Sequence, residues 1–215
     1  MTYAFQCPCG GVRGELLHSE RALRGICHCK DCRAYSNHLG TSARTHDAHG
    51  GATFIATQAK HVRLCEGTQH LACLSLSERG LLRWYATCCT TPIASSLRNW
   101  KVPYVSLVHT CLTSDPAAFE RAFPRLQMRV NTGSATQTPP ALVLKTFASL
   151  AKFIPAVGAS GLTGAYKPNP FLTSEGEPVA PITVLSATQR DRAYGIGYRL
   201  ASMRCGAVQT PPGGA

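Results

Sequence analysis

The sequence predicts a mainly β protein built around metal-binding turns, followed by a C-terminal helical extension. Three observations carry this. Short alternating apolar runs fill the chain up to about residue 114, capped and helix-periodic segments follow residue 115, and three cysteine-rich turns fall at the ends of predicted strands.

The predicted strands are Val12–His18, Ala52–Gln58, His61–Cys65, His70–Ser77, Leu81–Ala86 and Tyr104–Leu112. Turn signals at "HGG", "CEGT" and "SERG" separate several of them, as in an antiparallel meander. Beyond them, Asp115 followed by Pro116 reads as an N-cap with proline at the first helical position. "PPALVLKTFASLAKFIP" has a helical period with proline at both ends, and Ser186 with Gln189 forms a candidate capping box. The expected organisation is a zinc-binding domain over 1–114, a helical and loop-rich extension over 115–204, and a disordered tail over 205–215.

Composition narrows the function classes. The N-terminus shows no basic region followed by an apolar run, and no stretch reaches 18 uninterrupted apolar residues. The expected location is therefore cytoplasmic, without a membrane span. Thiols stay reduced there, so 11 cysteines read as metal ligands before disulfides. The net charge is +11, from 22 Lys and Arg against 11 Asp and Glu. The basic residues divide evenly between the two parts of the chain and form no run, which disfavours nucleic acid as a partner.

The three turns hold Cys7 and Cys9, then Cys27, Cys29 and Cys32, then Cys88 and Cys89. Zinc takes thiolates at about 2.3 Å in a tetrahedron, and strand-end turns can offer two to one ion. Counting ligands gives one or two zinc ions. Cys7, Cys9, Cys88 and Cys89 make a closed structural set; Cys27, Cys29 and Cys32 make a three-ligand set. The second set either leaves a fourth position open to an incoming thiol, as in catalytic zinc, or is closed by a further cysteine. Cys88 and Cys89 are also open to two readings. In an extended chain they diverge, leaving Cys89 alone on the first site; in a tight turn at Thr87 both reach it, the arrangement favoured here because it completes four ligands.

Other residues have mostly structural readings. Cys65, Cys73 and Cys111 are expected in apolar strand patterns of the core, and Cys205 in a helix near the tail. His28, between two ligands, is expected to point away from the metal, and Asp31 to cap the turn after Cys29. His38, His46 and His49 fall in one loop, either solvated or supplying an acid/base. Arg33 is a surface arginine or an anion contact, and Trp84 and Tyr85 are expected in the core.

The motifs "CPCGGVRG", "CHCKDCRAYS" and the strand leading into "CTTP" resemble the glutathione-dependent formaldehyde-activating enzyme and centromere protein V family over residues 3–112. The family pattern is C-x-C-G, C-x-C-x-x-C and C-x-x-C-G-T. Here Ala86 stands where the third motif has its first cysteine, Thr90 replaces the glycine and Cys88 is additional, so the chain resembles an uncharacterised branch with a "WYxxCC" turn. The resemblance implies the Mss4-like fold, a twisted antiparallel β-structure around zinc. It also implies a structural zinc at Cys7 and Cys9 with the third turn. At Cys27, Cys29 and Cys32 it implies a second zinc, where a small thiol such as glutathione meets an aldehyde. The implied activity is that of a carbon–sulfur lyase on thiol–aldehyde adducts such as S-hydroxymethylglutathione. The alternatives are a non-catalytic zinc-stabilised binding module with a partner surface on 115–215, which requires closed or absent metal and the absence of a pocket at the second cluster, and a nucleic-acid adaptor.

Overall fold

The computed structural model describes residues 1–112 and 115–195; Cys205 and the 205–215 tail lie outside the described residues. The protein is mainly β, with helices concentrated in its second half. Strands β1 (Thr2–Gln6), β2 (Arg13–Leu17) and β5 (Val62–Glu66) form a small antiparallel sheet in the order β1-β2-β5. The larger sheet is formed by β3 (Leu23–Cys27), β4 (Ala52–Gln58), β6 (Leu71–Ser75), β7 (Leu82–Ala86), β8 (Thr91–Ser96) and β9 (Tyr104–Val108), with β10 (Met128–Val130) and β11 (Ile182–Val184) at its edges. Its order is β10-β3-β4-β9-β8-β7-β6-β11. The six inner strands pair antiparallel, while β10 pairs parallel with β3 and β11 parallel with β6. The stretch after residue 115 thus supplies both edges of the sheet as well as helices.

One face of the large sheet packs against the small sheet. Alternation on β7 sends Leu82, Trp84 and Ala86 into this layer, where they meet Phe5, Val12 and Leu16. Trp84 is fully buried, donates its indole N–H to Ser96 Oγ at 2.9 Å and lies 5.1 Å from the Phe171 ring, a core role as expected. Burying such a side chain is worth about 2–3 kcal/mol from apolar area alone.

The opposite face carries helices from both halves of the chain. Helix α1 (Lys30–His38) with α2 (Ser42–Thr45) follows β3, and α6 (Ala187–Tyr194) packs beside α1 around Tyr35, Leu74, Leu185 and Ala193. Helix α5 (Val143–Leu162) covers Phe54, Ala56 and Met128. Helices α3 (His109–Leu112) and α4 (Pro116–Ala122) follow β9 in the chain and bury Cys111, Leu112 and Phe119 in the layer shared with the small sheet. Asp115 caps α4 by accepting the Ala117 N–H at 2.8 Å, and the Ser186–Gln189 capping box opens α6.

Several expectations need correction. The last strand stops at Val108; Cys111 and Leu112 lie in a helical turn that places both in the same core cluster. Pro155 does not end its helix but sits inside α5, on the exposed side, where the carbonyl that loses its partner faces solvent. Cys65 is exposed: on edge strand β5, Val62 and Leu64 face inward and Cys65 faces out with Arg63. Cys73 and Cys111 are in the core as expected.

Candidate metal centres and the cavity beside them

The first centre joins two turns. After β1, the chain reverses through Cys7–Val12, with the Gly10 N–H bonded to Cys7 O at 2.8 Å and the Cys7 N–H to Val12 O at 3.0 Å. Gly10 takes the left-handed φ of 73° that this reversal needs. Gly11 is required by proximity, since a Cβ there would lie 2.8 Å from Cys88 Sγ. The second turn links β7 to β8. Thr90, in place of the glycine of the resembled pattern, adopts φ 51°.

The sulfurs of Cys7, Cys9, Cys88 and Cys89 all lie within 4.8 Å of one another. The Cys7–Cys9, Cys7–Cys88, Cys9–Cys88 and Cys88–Cys89 separations are 3.4, 3.7, 3.1 and 3.9 Å. Sulfurs tetrahedrally bound at 2.3 Å are about 3.8 Å apart, so the donor set fits a zinc-sized ion. The turn at 87–90 brings both adjacent cysteines to one point, as the tight-turn reading expects. The Cys9 thiol is lowered to about 7, first by its bond with Cys88 and then by the Gly11 N–H. Burial, and then bonds to its neighbours, push Cys88 up. A dication bound here would displace the protons of these crowded thiols.

The second centre grows from the junction of β3 and α1. Cys27 ends β3, Cys29 is the N-cap of α1, and Cys32 lies in its first turn. Cys29 Sγ accepts the Cys32 N–H at 3.3 Å. The cap is therefore a sulfur rather than Asp31, whose carboxylate instead accepts the Tyr194 hydroxyl at 2.7 Å and ties α1 to α6. The three sulfurs lie within 4.8 Å of one another, and no fourth ligand joins them among the described residues. The positive end of α1 favours negative charge at this point.

The three cysteines open onto a cavity of about 220 Å³ on the helix-bearing face of the sheet. Arg83, from β7, is 2 % exposed and reaches to 3.8 Å from Cys32 Sγ. Its guanidinium lies 5.2 Å from the Tyr35 ring centre. Among the described residues no carboxylate pairs with it, although a buried charge is costly without a partner. Asn131, just after β10, donates to Cys27 Sγ at 3.4 Å. Tyr104, Ser95, Ser106 and Thr45 add hydroxyls to the lining. Close pairing with Cys29, and then burial, hold the Cys27 thiol above its ordinary value. Cys32 is raised by its pairing with Cys27 and by burial, against the lowering field of Arg83.

His28 points away from the sulfurs, as expected. It is fully buried, and its ring lies 2.6 Å from where a Gly51 Cβ would stand. Among the described residues its Nδ1 has no hydrogen-bond partner, and burial lowers its pKa. His38, His46 and His49 line no part of the cavity; His46 Nε2 bonds Ser36 Oγ at 2.7 Å. Arg33 bonds the His28 carbonyl at 2.8 Å and does not line the cavity either. Sequence reasoning missed Arg83 and Asn131. The signal for Arg83 was present: it is the lone charge in "LLRWYA", out of phase with Leu82 and Trp84.

These features define a mainly β protein with two cysteine groups, each able to hold a metal ion. The chain belongs to a family of unknown function, DUF6151, whose profile matches residues 2–183 and so spans both groups and both parts of the large sheet. Comparison with curated proteins gives no match. Among the described residues no helix is long and apolar enough to cross a membrane.

Proposed function

We propose that the protein binds zinc at both cysteine groups and, at Cys27, Cys29 and Cys32, makes or breaks the carbon–sulfur bond of a thiol–aldehyde adduct. The observation that carries this reading is the three-cysteine group, which opens onto a cavity and has no fourth ligand among the described residues. The resemblance to the formaldehyde-activating enzyme family supplies the reaction type, with S-hydroxymethylglutathione as its reference substrate. The site at Cys7, Cys9, Cys88 and Cys89 is structural, since it fastens the turn after β1 to the β7–β8 turn.

Zinc held by Cys27, Cys29 and Cys32 would supply a positive charge that favours the thiolate form of an incoming thiol. The residues of the chain prepare the site. Three thiolates with a dication leave one net negative charge, which the buried Arg83 guanidinium offsets. Asn131 orients Cys27 by donating to its sulfur. The Tyr104 hydroxyl is raised by burial to about 12, so at neutral pH it remains a proton-bearing donor facing the cavity. In the forward direction the thiol sulfur bonds to the carbonyl carbon, the carbonyl π-pair moves to oxygen, and that oxygen takes a proton from the Tyr104 hydroxyl, which is restored by the proton that the thiol released to solvent. Cleavage returns the proton and releases thiol and aldehyde.

Metal analysis and an adduct assay test this together. The purified chain should carry two zinc ions and accelerate exchange between formaldehyde, glutathione and their adduct, followed by NMR. Cys27→Ala should lose one ion and the exchange activity while its circular dichroism stays close to that of the parent. A chain without zinc, or a Cys27→Ala variant that exchanges at the parental rate, would remove the proposal.

A further inference from the structure

Helix α5 is fastened to the sheet at its ends. Near its start, Thr146 Oγ1 accepts the Arg129 N–H at 3.0 Å and Ser149 donates to Gln127 O at 3.3 Å. Near its end, Ser160 donates to Gln58 Oε1 at 2.6 Å and accepts from Lys60 at 2.9 Å. Between these anchors an apolar groove of about 670 Å³ runs under the helix. Phe54, Ala56 and Met128 line its sheet side, and Leu150, Phe153 and Val157 its helix side. Lys101 is the sole charged side chain in its lining and stands near Gly161 at the far end.

Phe54, Tyr104 and Val130 line both this groove and the cavity of the second cysteine group. At about 220 Å³ that cavity is smaller than the ~300–1,000 Å³ usual for ligand sites, while the adjoining groove, at about 670 Å³, falls inside that range. Gly158 adds an independent observation. A glycine inside a helix costs about 1 kcal/mol against alanine. No contact requires it here, since a Cβ at Gly158 would meet nothing within 4 Å. Its lack of a side chain leaves the groove open.

We infer that the groove holds the aliphatic chain of the thiol substrate whose sulfur sits at Cys27, Cys29 and Cys32. This rests on the thiol chemistry proposed above and makes thiols with an extended hydrocarbon chain better substrates than polar thiols such as glutathione. Sulfur and chain then lie on the two sides of the junction formed by Phe54, Tyr104 and Val130. Arg83 stays at the sulfur end and Lys101 at the opposite mouth, so the interior of the groove presents hydrocarbon alone.

Calorimetric titration of the zinc-loaded full-length chain with 2-mercaptoethanol, 6-mercaptohexanol and 8-mercaptooctanol tests the inference. Each methylene entering the groove should tighten binding about fourfold. Gly158→Phe, which fills the groove, should reduce the longer thiols to the affinity of 2-mercaptoethanol and leave 2-mercaptoethanol unchanged; zinc content and circular dichroism check its fold. If 2-mercaptoethanol binds and longer thiols bind no tighter, the groove inference falls while the thiol site stands. If the series is flat and Gly158→Phe abolishes self-association, the groove belongs to a second copy and the inference is overturned. If no thiol binds, the reading of the site fails and this inference with it.

Discussion

Replacing Arg83 by methionine separates the stability of the fold from the chemistry of the second cysteine group. Arg83 is 2 % exposed, pairs with no carboxylate among the described residues and lies 3.8 Å from Cys32 Sγ. At that distance two unit charges at an effective dielectric near 20 interact by about 4 kcal/mol, or about 3 pH units of thiol ionisation. Spreading the charge over the guanidinium and three sulfurs reduces this, so a shift of about 1–2 pH units is expected. The guanidinium favours the thiolate, so Arg83→Met raises the thiol pKa, and the second zinc ion should be released at correspondingly higher pH as the solution is acidified. Native mass spectrometry counts the ions per chain along such a titration. Methionine retains the volume and removes a buried charge, so the metal-free variant should melt at or above the parental temperature. Release of the second ion at the parental pH would refute the coupling between Arg83 and the cluster. A large loss of stability would show that Arg83 serves the fold.

Two further outcomes follow from the same geometry. Cys9→Ala should lose one zinc ion and melt far below the parent, because binding energies of about 10–16 kcal/mol at structural zinc sites exceed the stability of most domains; equal zinc content and melting temperature would count against a structural site. His61 is held down to about 4 by burial and then by neighbouring positive charge, with His18 and Lys60 opposing its protonation and Glu20 favouring it. The unfolded chain takes up the His61 proton first, so this contribution to stability is present above about pH 6.5 and is lost as pH falls towards 4. Urea titrations at several pH values should show that decline, and His61→Gln should flatten it. An unchanged pH profile in the variant would exclude His61 as its source.

The legible parts of the fold were those decided by local chemistry. β4 matches its apolar run from Ala52 to Gln58, and the Asp115 cap and the Ser186–Gln189 box depend on neighbours in sequence. β3, "LRGIC", and β8, "TPIASS", carry glycine, arginine, proline and small residues, and are strands because of their partners. α1 was hidden because its first turn reads as a metal loop, and the sulfur of Cys29 caps it where an aspartate was expected. The cysteine groups were legible because their thiols fall at turn spacing within three short stretches of sequence. Asn131 was not, since it meets Cys27 across 104 residues of sequence through the β3–β10 pairing.

The parallel edge strands also bear on the order of events during synthesis. β3 and β6 are complete once residue 75 has been made, yet their outer partners β10 and β11 end at residues 130 and 184. At roughly 5–20 residues per second, β6 waits about 5–20 s on the ribosome with one row of backbone amides and carbonyls unpaired. Over that interval the nascent chain presents a template to which a neighbouring strand on a polysome could pair. A stop at residue 114 would make that exposure permanent at both sides of the sheet, including the side that carries Cys27.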